Sequence, residues 1–111
     1  MTQKSIRERK SMGQVIPLED PQNYKTAFQR IKRLWNEGHV EILPHAQKRM
    51  IQRRLDTNDI QHIIRYGRIV EHSQPREFWR YNIAGTSVDG KKATCVVEVN
   101  DNLIIVTVVV T

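Results

Sequence analysis

The hydrophobic pattern of the chain changes from helical spacing in its first half to alternation in its second half. Apolar residues recur every three or four positions in 21–37, 44–54 and 57–66, which predicts three amphipathic helices. A weak alternation at 39–43 and a clear one from 68 onward predict strands at 39–43, 68–73, 77–84, 91–99 and 103–110. This order predicts an α+β domain with two to three N-terminal helices on a four- to five-stranded, mainly antiparallel sheet.

Local signals set the bounds of these elements. They are Asp20-Pro21 and Gly38 for the first helix, Pro44 for the second, Asp56 or Thr57 with Gly67 for the third, and Asp89-Gly90 for a hairpin turn. The last strand, 103–110, is apolar on both of its faces. We therefore expect it in the centre of the sheet, covered on both sides.

The positive charge of the chain is concentrated in one region. The whole chain has 18 basic and 12 acidic residues, a net charge of +6. Residues 21–54 alone contain eight cations and two carboxylates, so the first two predicted helices carry the whole excess. This distribution is typical of a nucleic-acid-binding protein. A solvated basic surface and a surface for an acidic protein are the alternative interpretations.

Length and composition limit the remaining possibilities. The 111 residues are enough for one domain, which we place at 21–111, after an N-terminal arm at 1–20 that we expect to be mobile or to dock. No apolar run is long enough for a membrane span, and no signal peptide is visible. With the single Cys95, this favours the cytoplasm. The four histidines are dispersed and lack ligand spacing, so no metal and no other cofactor is expected.

The most distinctive stretch runs from His45 to Arg54. It contains one imidazole, four cations and no acidic residue. In a helix, His45, Arg49 and Arg53 lie at i, i+4 and i+8 and share one face. Such a face suits a phosphodiester better than a carboxylate or an apolar ligand.

This stretch resembles the signature of a small bacterial family of domains of unknown function. The signature is His-Ala-x-x-Arg-Met-x-x-Arg, which matches His45 to Arg53, and the resemblance extends over about 39–111. The family is grouped with RelE-like toxin nucleases, which share the barnase, EndoU and colicin ribonuclease fold. Two positions depart from its pattern: Leu43 replaces a capping Thr or Ser before Pro-His, and Val109 replaces an aromatic residue near the end of the last strand.

The resemblance implies the toxin of a toxin-antitoxin system that cleaves RNA without a metal. In that hypothesis a histidine transfers protons, because it titrates near neutral pH, and arginines bind the phosphate. RNA and a cognate antitoxin protein are then the partners. The candidate catalytic residues are His45, Arg49, Arg53, Arg80, Tyr81 and Thr107. Whether Arg80 or Tyr81 belongs to the site depends on which face of their strand meets the helix. The candidate general RNA contacts are Lys48, Arg54, Lys91 and Lys92.

Other interpretations of the same residues stay open at this stage. Arg49 could instead pair with a carboxylate and hold its helix to the sheet, the candidates being Glu41, Asp56 and Glu71. The helices 44–54 and 57–66 could form a DNA-binding helix-turn-helix without catalysis. The basic face could also belong to a protein-interaction module.

Overall fold

The order of elements follows the predicted change from helices to strands. The computed structural model describes residues 23–111, so the predictions for 1–20 and for the Asp20-Pro21 signal lie outside the described residues. The elements are α1 (Tyr24–Asn36), β1 (Val40–Ile42), α2 (Pro44–Gln52), α3 (Thr57–Tyr66), β2 (Arg68–Ser73), β3 (Trp79–Thr86), β4 (Lys92–Val99) and β5 (Leu103–Val110).

The five strands form one mixed sheet in the order β1-β5-β4-β3-β2. The short β1 pairs in parallel with β5, and the other three pairings are antiparallel. The α+β class is thus confirmed, with three helices and five strands, while the parallel pair at one edge makes the sheet mixed. This pair brings the start of α2, which follows β1 directly, alongside β5.

All three helices contribute to one hydrophobic core on a single face of the sheet. From the sheet, Tyr81 and Ile83 of β3 and Cys95 of β4 are buried against Ile60 and Ile63 of α3. The expectation that β5 lies inside the sheet is confirmed, but the expected cover on both of its faces is not found among residues 23–111. The strand lies between β1 and β4, and no helix of residues 23–111 covers its second face, where Val109 is exposed. We call this second side the open face.

Helix α1 closes the core at one side. Its N-terminus is capped by Asn23, whose side chain accepts a hydrogen bond from the backbone N–H of Thr26 at 3.1 Å. Ile31 and Leu34 are buried in the core. The indole N–H of Trp35 donates to the side chain of Gln61 in α3 at 3.1 Å. These contacts make α1 part of the domain.

Helix α3 begins with a reciprocal capping box. The backbone N–H groups of Asp56 and Asp59 donate to each other's carboxylates at 2.9 and 3.1 Å. Asp59 also accepts from the N–H of Val88 in the β3–β4 hairpin at 2.9 Å. Burial alone would raise the pKa of Asp59, but these hydrogen bonds and the nearby Lys91 hold it below its usual value. The hairpin is thereby attached to the start of α3.

At its other end α3 approaches β3 so closely that glycine is required. A Cβ on Gly67 would lie 2.5 Å from the carbonyl oxygens of both Ala84 and Ile63. A Cβ on Gly85 would lie 3.2 Å from the Cα of Gly67. Gly67 therefore ends the helix and also allows the backbones of α3 and β3 to pack in direct contact.

Cys95 lies on the helix face of β4, as the alternation predicted. Its side chain is fully buried, and burial raises the pKa of its thiol to about 12. A thiol with that pKa is neutral at physiological pH, so Cys95 is a small core residue and not a nucleophile.

Candidate nucleic-acid site on helix α2

Helix α2 begins without a side-chain cap. Pro44 occupies the first helical position, and Leu43 offers no polar group to the first turn, as its replacement of Thr or Ser predicted. The side-chain amide of Gln47 instead donates a hydrogen bond to the carbonyl of Ile42 at 3.0 Å. Ala46 and Met50 are buried, so the rest of this short helix faces outward. The positive end of the helix therefore lies beside His45 with no acidic residue in the first turn.

The exposed side of α2 has a shallow depression of about 160 Å³. Four side chains line it: His45, Lys48, Arg49 and Gln52. The i, i+4 pair of His45 and Arg49 therefore shares one face, as predicted, and Lys48 with Gln52 forms a second pair beside it. No acidic side chain lines the depression, so its charge is uncompensated. We call these four residues the α2 site.

The two key side chains of the α2 site have no partner in the described part of the chain. Neither the imidazole of His45 nor the guanidinium of Arg49 makes a hydrogen bond or ion pair there. Of the carboxylates considered for Arg49, Glu71 accepts from Asn82 and Asp56 accepts in the α3 cap. The third, Glu41, forms no ion pair with Arg49 in the described part of the chain. Arg49 thus does not hold its helix to the sheet, and both side chains are available to a ligand.

Helix α2 ends two residues earlier than predicted, in a Schellman motif. The N–H groups of Arg54 and Leu55 donate to the carbonyls of Ile51 and Met50 at 3.2 and 2.8 Å. The same motif ends α1, where Gly38 takes the left-handed position with φ of 81°. In α2 that position is occupied by Arg54, with φ of 56°. An arginine there is strained, because its Cβ approaches the backbone.

Replacing Arg54 with glycine should change stability and RNA affinity in opposite directions. We expect the Arg54→Gly variant to gain about 1 kcal/mol in unfolding free energy, because the left-handed strain is removed. The RNA affinity that the sequence predicts should fall, because a cation beside the α2 site is lost. Chemical denaturation and RNA titration measure the two effects. An Arg54→Lys variant keeps the charge and the strain and should behave like the parent, and a less stable Arg54→Gly variant would contradict this account.

Arg53 lies at the end of the helix and outside the α2 depression. It is the C-cap residue, and its carbonyl accepts a hydrogen bond from the ammonium of Lys91 at 3.1 Å. Lys91 belongs to the β3–β4 hairpin, so the structure joins a predicted catalytic residue and a predicted RNA contact from distant parts of the sequence. Exposed Arg53 and Arg54, with the half-buried Lys91, thus continue the basic surface from α2 toward the hairpin.

The sheet residues predicted for the site are not in the α2 depression. Tyr81 faces the helices, is buried, and packs edge-on against the ring of Tyr24 at 6.5 Å. Arg80 lies on the open face, where its Nε and Nη2 donate to Glu98 at 3.0 and 2.6 Å. Thr107 lies on the same face, opposite Val96 in the register. The roles of these three residues stay predictions without support from the geometry of the depression.

Sequence reasoning missed two of the polar groups described here. Gln52 lines the depression, and the helical spacing of four from Lys48 was a signal that pointed to it. Glu98, the partner of Arg80, carried no such signal, because the pairing depends on the register between β3 and β4. Nothing in residues 23–111 forms a group of three or more side chains able to hold a metal ion. No described helix is long and apolar enough to cross a membrane.

Comparison with known protein families places the site within a recognised domain. The family model described as a domain of unknown function, DUF4258, matches residues 42–110, from the end of β1 to the end of β5. Helix α1 lies outside the match. No curated protein and no solved structure matches the chain. The match includes the whole α2 site and covers more than half of the chain, so the protein belongs to the DUF4258 family.

Proposed function

We propose that the protein is the toxin of a bacterial toxin-antitoxin system and cleaves RNA without a metal at the α2 site. The observation that carries the proposal is the α2 depression itself. It gathers an imidazole and two cations, without an acidic neighbour, on an exposed helix face. This combination suits a phosphodiester, whose charge the cations bind and whose cleavage requires proton transfer.

In the proposed reaction the 2′-hydroxyl of the RNA is the nucleophile. Its oxygen forms a bond to the phosphorus as His45 takes its proton, and the bond from phosphorus to the 5′-oxygen breaks. The ammonium of Lys48 gives a proton to the departing 5′-oxygen. Arg49 binds the non-bridging oxygens, and its planar fork can contact two of them at once. The products are a 2′,3′-cyclic phosphate and a 5′-hydroxyl, and exchange with water restores both protonation states.

The architecture supports the grouping with RelE-like and barnase-like nucleases that the signature suggested. Three helices on one face of a five-stranded sheet, with the other face open, agree with that fold class. Within the proposal, the signature residues His45 and Arg49, together with Lys48 between them, form the reacting part of the site. The proposed place of action is the cytoplasm, where RNA is the substrate.

The packing of α3 disfavours the helix-turn-helix alternative. The second helix of that motif must present its side chains to the major groove. In α3, Ile60, Ile63 and Ile64 are buried, and Gln61 accepts a hydrogen bond from Trp35 of α1. His62 is bound to the carbonyl of Thr86 at 2.7 Å. These contacts hold α3 against the core of the domain, so few of its side chains are available to contact a DNA groove.

A toxin nuclease needs a neutralising partner, and α2 offers a place for one. Ile51, on the same helix, is 78% exposed and is surrounded in sequence by cations. An apolar anchor beside a basic surface suits an acidic protein segment that also carries apolar residues. The proposed antitoxin would therefore cover the α2 site and compete with RNA.

RNA incubation in the presence of a chelator separates this proposal from both alternatives. We expect the full chain to fragment single-stranded RNA when EDTA is present, and to leave DNA of the same sequence intact, because DNA lacks the 2′-hydroxyl. A gel shift on duplex DNA without any RNA cleavage would instead support the regulator. Binding to neither nucleic acid would support the protein-interaction module.

A further inference from the structure

A second depression lies on the open face of the sheet, at the end where the β3–β4 hairpin turns. Its volume is about 310 Å³, nearly twice that of the α2 depression. The residues that line it are Arg68, Ala84, Gly85, Thr86, Lys92, Ala93, Thr94 and Thr111. Two cations, three hydroxyl groups and a floor of small residues thus surround the space. No acidic side chain lines it.

The strand register places the polar groups of this depression on one side of the sheet. Arg68 pairs with Ala84, Ala84 with Thr94, and Thr86 with Lys92, so the side chains of all five point to the open face. Ala84 contributes only a methyl group between the two cations and the hydroxyls. The result is a concave surface of donors, and a phosphate group accepts hydrogen bonds from both cations and hydroxyls.

Lys91 and Arg53 lie between this depression and the α2 site. Lys92 follows Lys91, whose ammonium donates to the carbonyl of Arg53 at the end of α2. The nearby carboxylates already have partners. Asp59 is bound to backbone N–H groups of Asp56 and Val88, and Asp89 accepts from the hydroxyl of Ser87. Asp59 also interacts electrostatically with Lys91, so the charge of this lysine is partly compensated, whereas no acidic side chain lines either depression.

We propose that the depression between Arg68 and Lys92 binds a phosphate of the same RNA strand that reacts at the α2 site. This inference rests on the proposed function. The strand passes from α2 over Arg53 and Lys91, around the end of the sheet, to the open face. The cations bind its backbone without reading sequence, and Thr86 and Thr94 donate hydrogen bonds to phosphate oxygens. The protein therefore prefers single-stranded RNA of several nucleotides, because duplex RNA is too stiff for this path.

The double variant Arg68→Ala/Lys92→Ala tests the inference through RNA affinity at two lengths. For a single strand of about sixteen nucleotides, we expect roughly tenfold weaker binding, because two exposed charge contacts are lost. The slope of log affinity against log salt should decrease by about 2. For a strand of about four nucleotides bound at α2, the loss should be much smaller. A Thr94→Val variant should weaken binding to the long strand without changing the salt slope.

The control removes the same charge elsewhere. Lys25 and Arg33 are exposed cations of α1, outside both depressions, and their double replacement with alanine should leave affinity nearly unchanged. Equal losses for the two double variants would contradict the inference, as would equal losses at both RNA lengths. Two results together would show a site for free phosphate instead. Inorganic phosphate would shift the amide resonances of Thr86 and Thr94, and the Arg68→Ala/Lys92→Ala variant would keep full RNA affinity. If the parent protein binds no RNA, the proposed function fails and this inference with it.

Discussion

The His45→Ala variant should lose RNA cleavage by about a hundredfold to ten-thousandfold, the usual contribution of a general acid or base. His45 is exposed on α2 and has no hydrogen-bond partner in the described part of the chain. Its removal should therefore change the unfolding free energy by less than about 0.5 kcal/mol. Cleavage kinetics on a labelled RNA and a thermal melt measure the two quantities on the same preparation.

A second histidine provides the matched control for this substitution. His39 is also exposed, and the only described contact of its imidazole is with Glu37 at 3.8 Å. His39→Ala should keep full cleavage activity, because the residue lies outside the α2 depression. If His45→Ala stays as active as His39→Ala and remains folded, His45 takes no part in the reaction. RNA affinity of His45→Ala should fall only slightly, since Lys48 and Arg49 still bind the phosphate.

The Gly67→Ala variant should lose about 3 kcal/mol or more of stability, at the upper end of the range for overpacking. The added methyl group would lie 2.5 Å from two carbonyl oxygens, one in α3 and one in β3. Both belong to backbone, so neither can rotate away, and the helix must move off the sheet. For a domain of this size the melting temperature should fall by roughly 10–20 °C. A thermal melt followed by circular dichroism measures it.

Gly38 separates this steric effect from the general preference for glycine. A Cβ on Gly38 has no neighbour within 4 Å, but the residue has φ of 81°. Gly38→Ala should therefore cost only about 1 kcal/mol, the strain of a left-handed residue. If the two variants are equally stable, the close approach of α3 to β3 is not as tight as described.

The sequence predicted elements well where a chemical signal marked their ends. Helix α3 and strands β2 and β5 have the predicted bounds, because Asp56 caps the helix and Gly67 separates it from the strand. The end of α2 was placed too late, since Arg54 rather than glycine takes the left-handed position. Strand β3 was predicted at 77–84, two residues before its observed range, because the hairpin is closed by Ser87 and Lys91 rather than at Gly85.

Only the part of the site that lies on one helix could be predicted from the sequence. Helical spacing is local, so His45 and Arg49 could be placed together from sequence alone, whereas Arg53, predicted on the same face, lies outside the depression. Alternation showed that Arg80 and Tyr81 have opposite faces, but not which face meets the helices, because that depends on the whole fold. The pairing of Arg80 with Glu98 and the contact of Lys91 with Arg53 join segments 18 and 38 residues apart. No periodicity within a segment contains that information.

The chemical nature of the cleaved ends tests the central claim most directly. The full chain is incubated in EDTA with a single-stranded RNA, and with the same RNA carrying a single 2′-deoxy nucleotide at the cleavage position. We predict fragments that end in a 2′,3′-cyclic phosphate from the first RNA, and no cleavage at that position in the second, because the nucleophile is missing. Cleavage of both RNAs, or fragments without cyclic phosphate in the earliest products, would contradict a reaction through the 2′-hydroxyl at the α2 site.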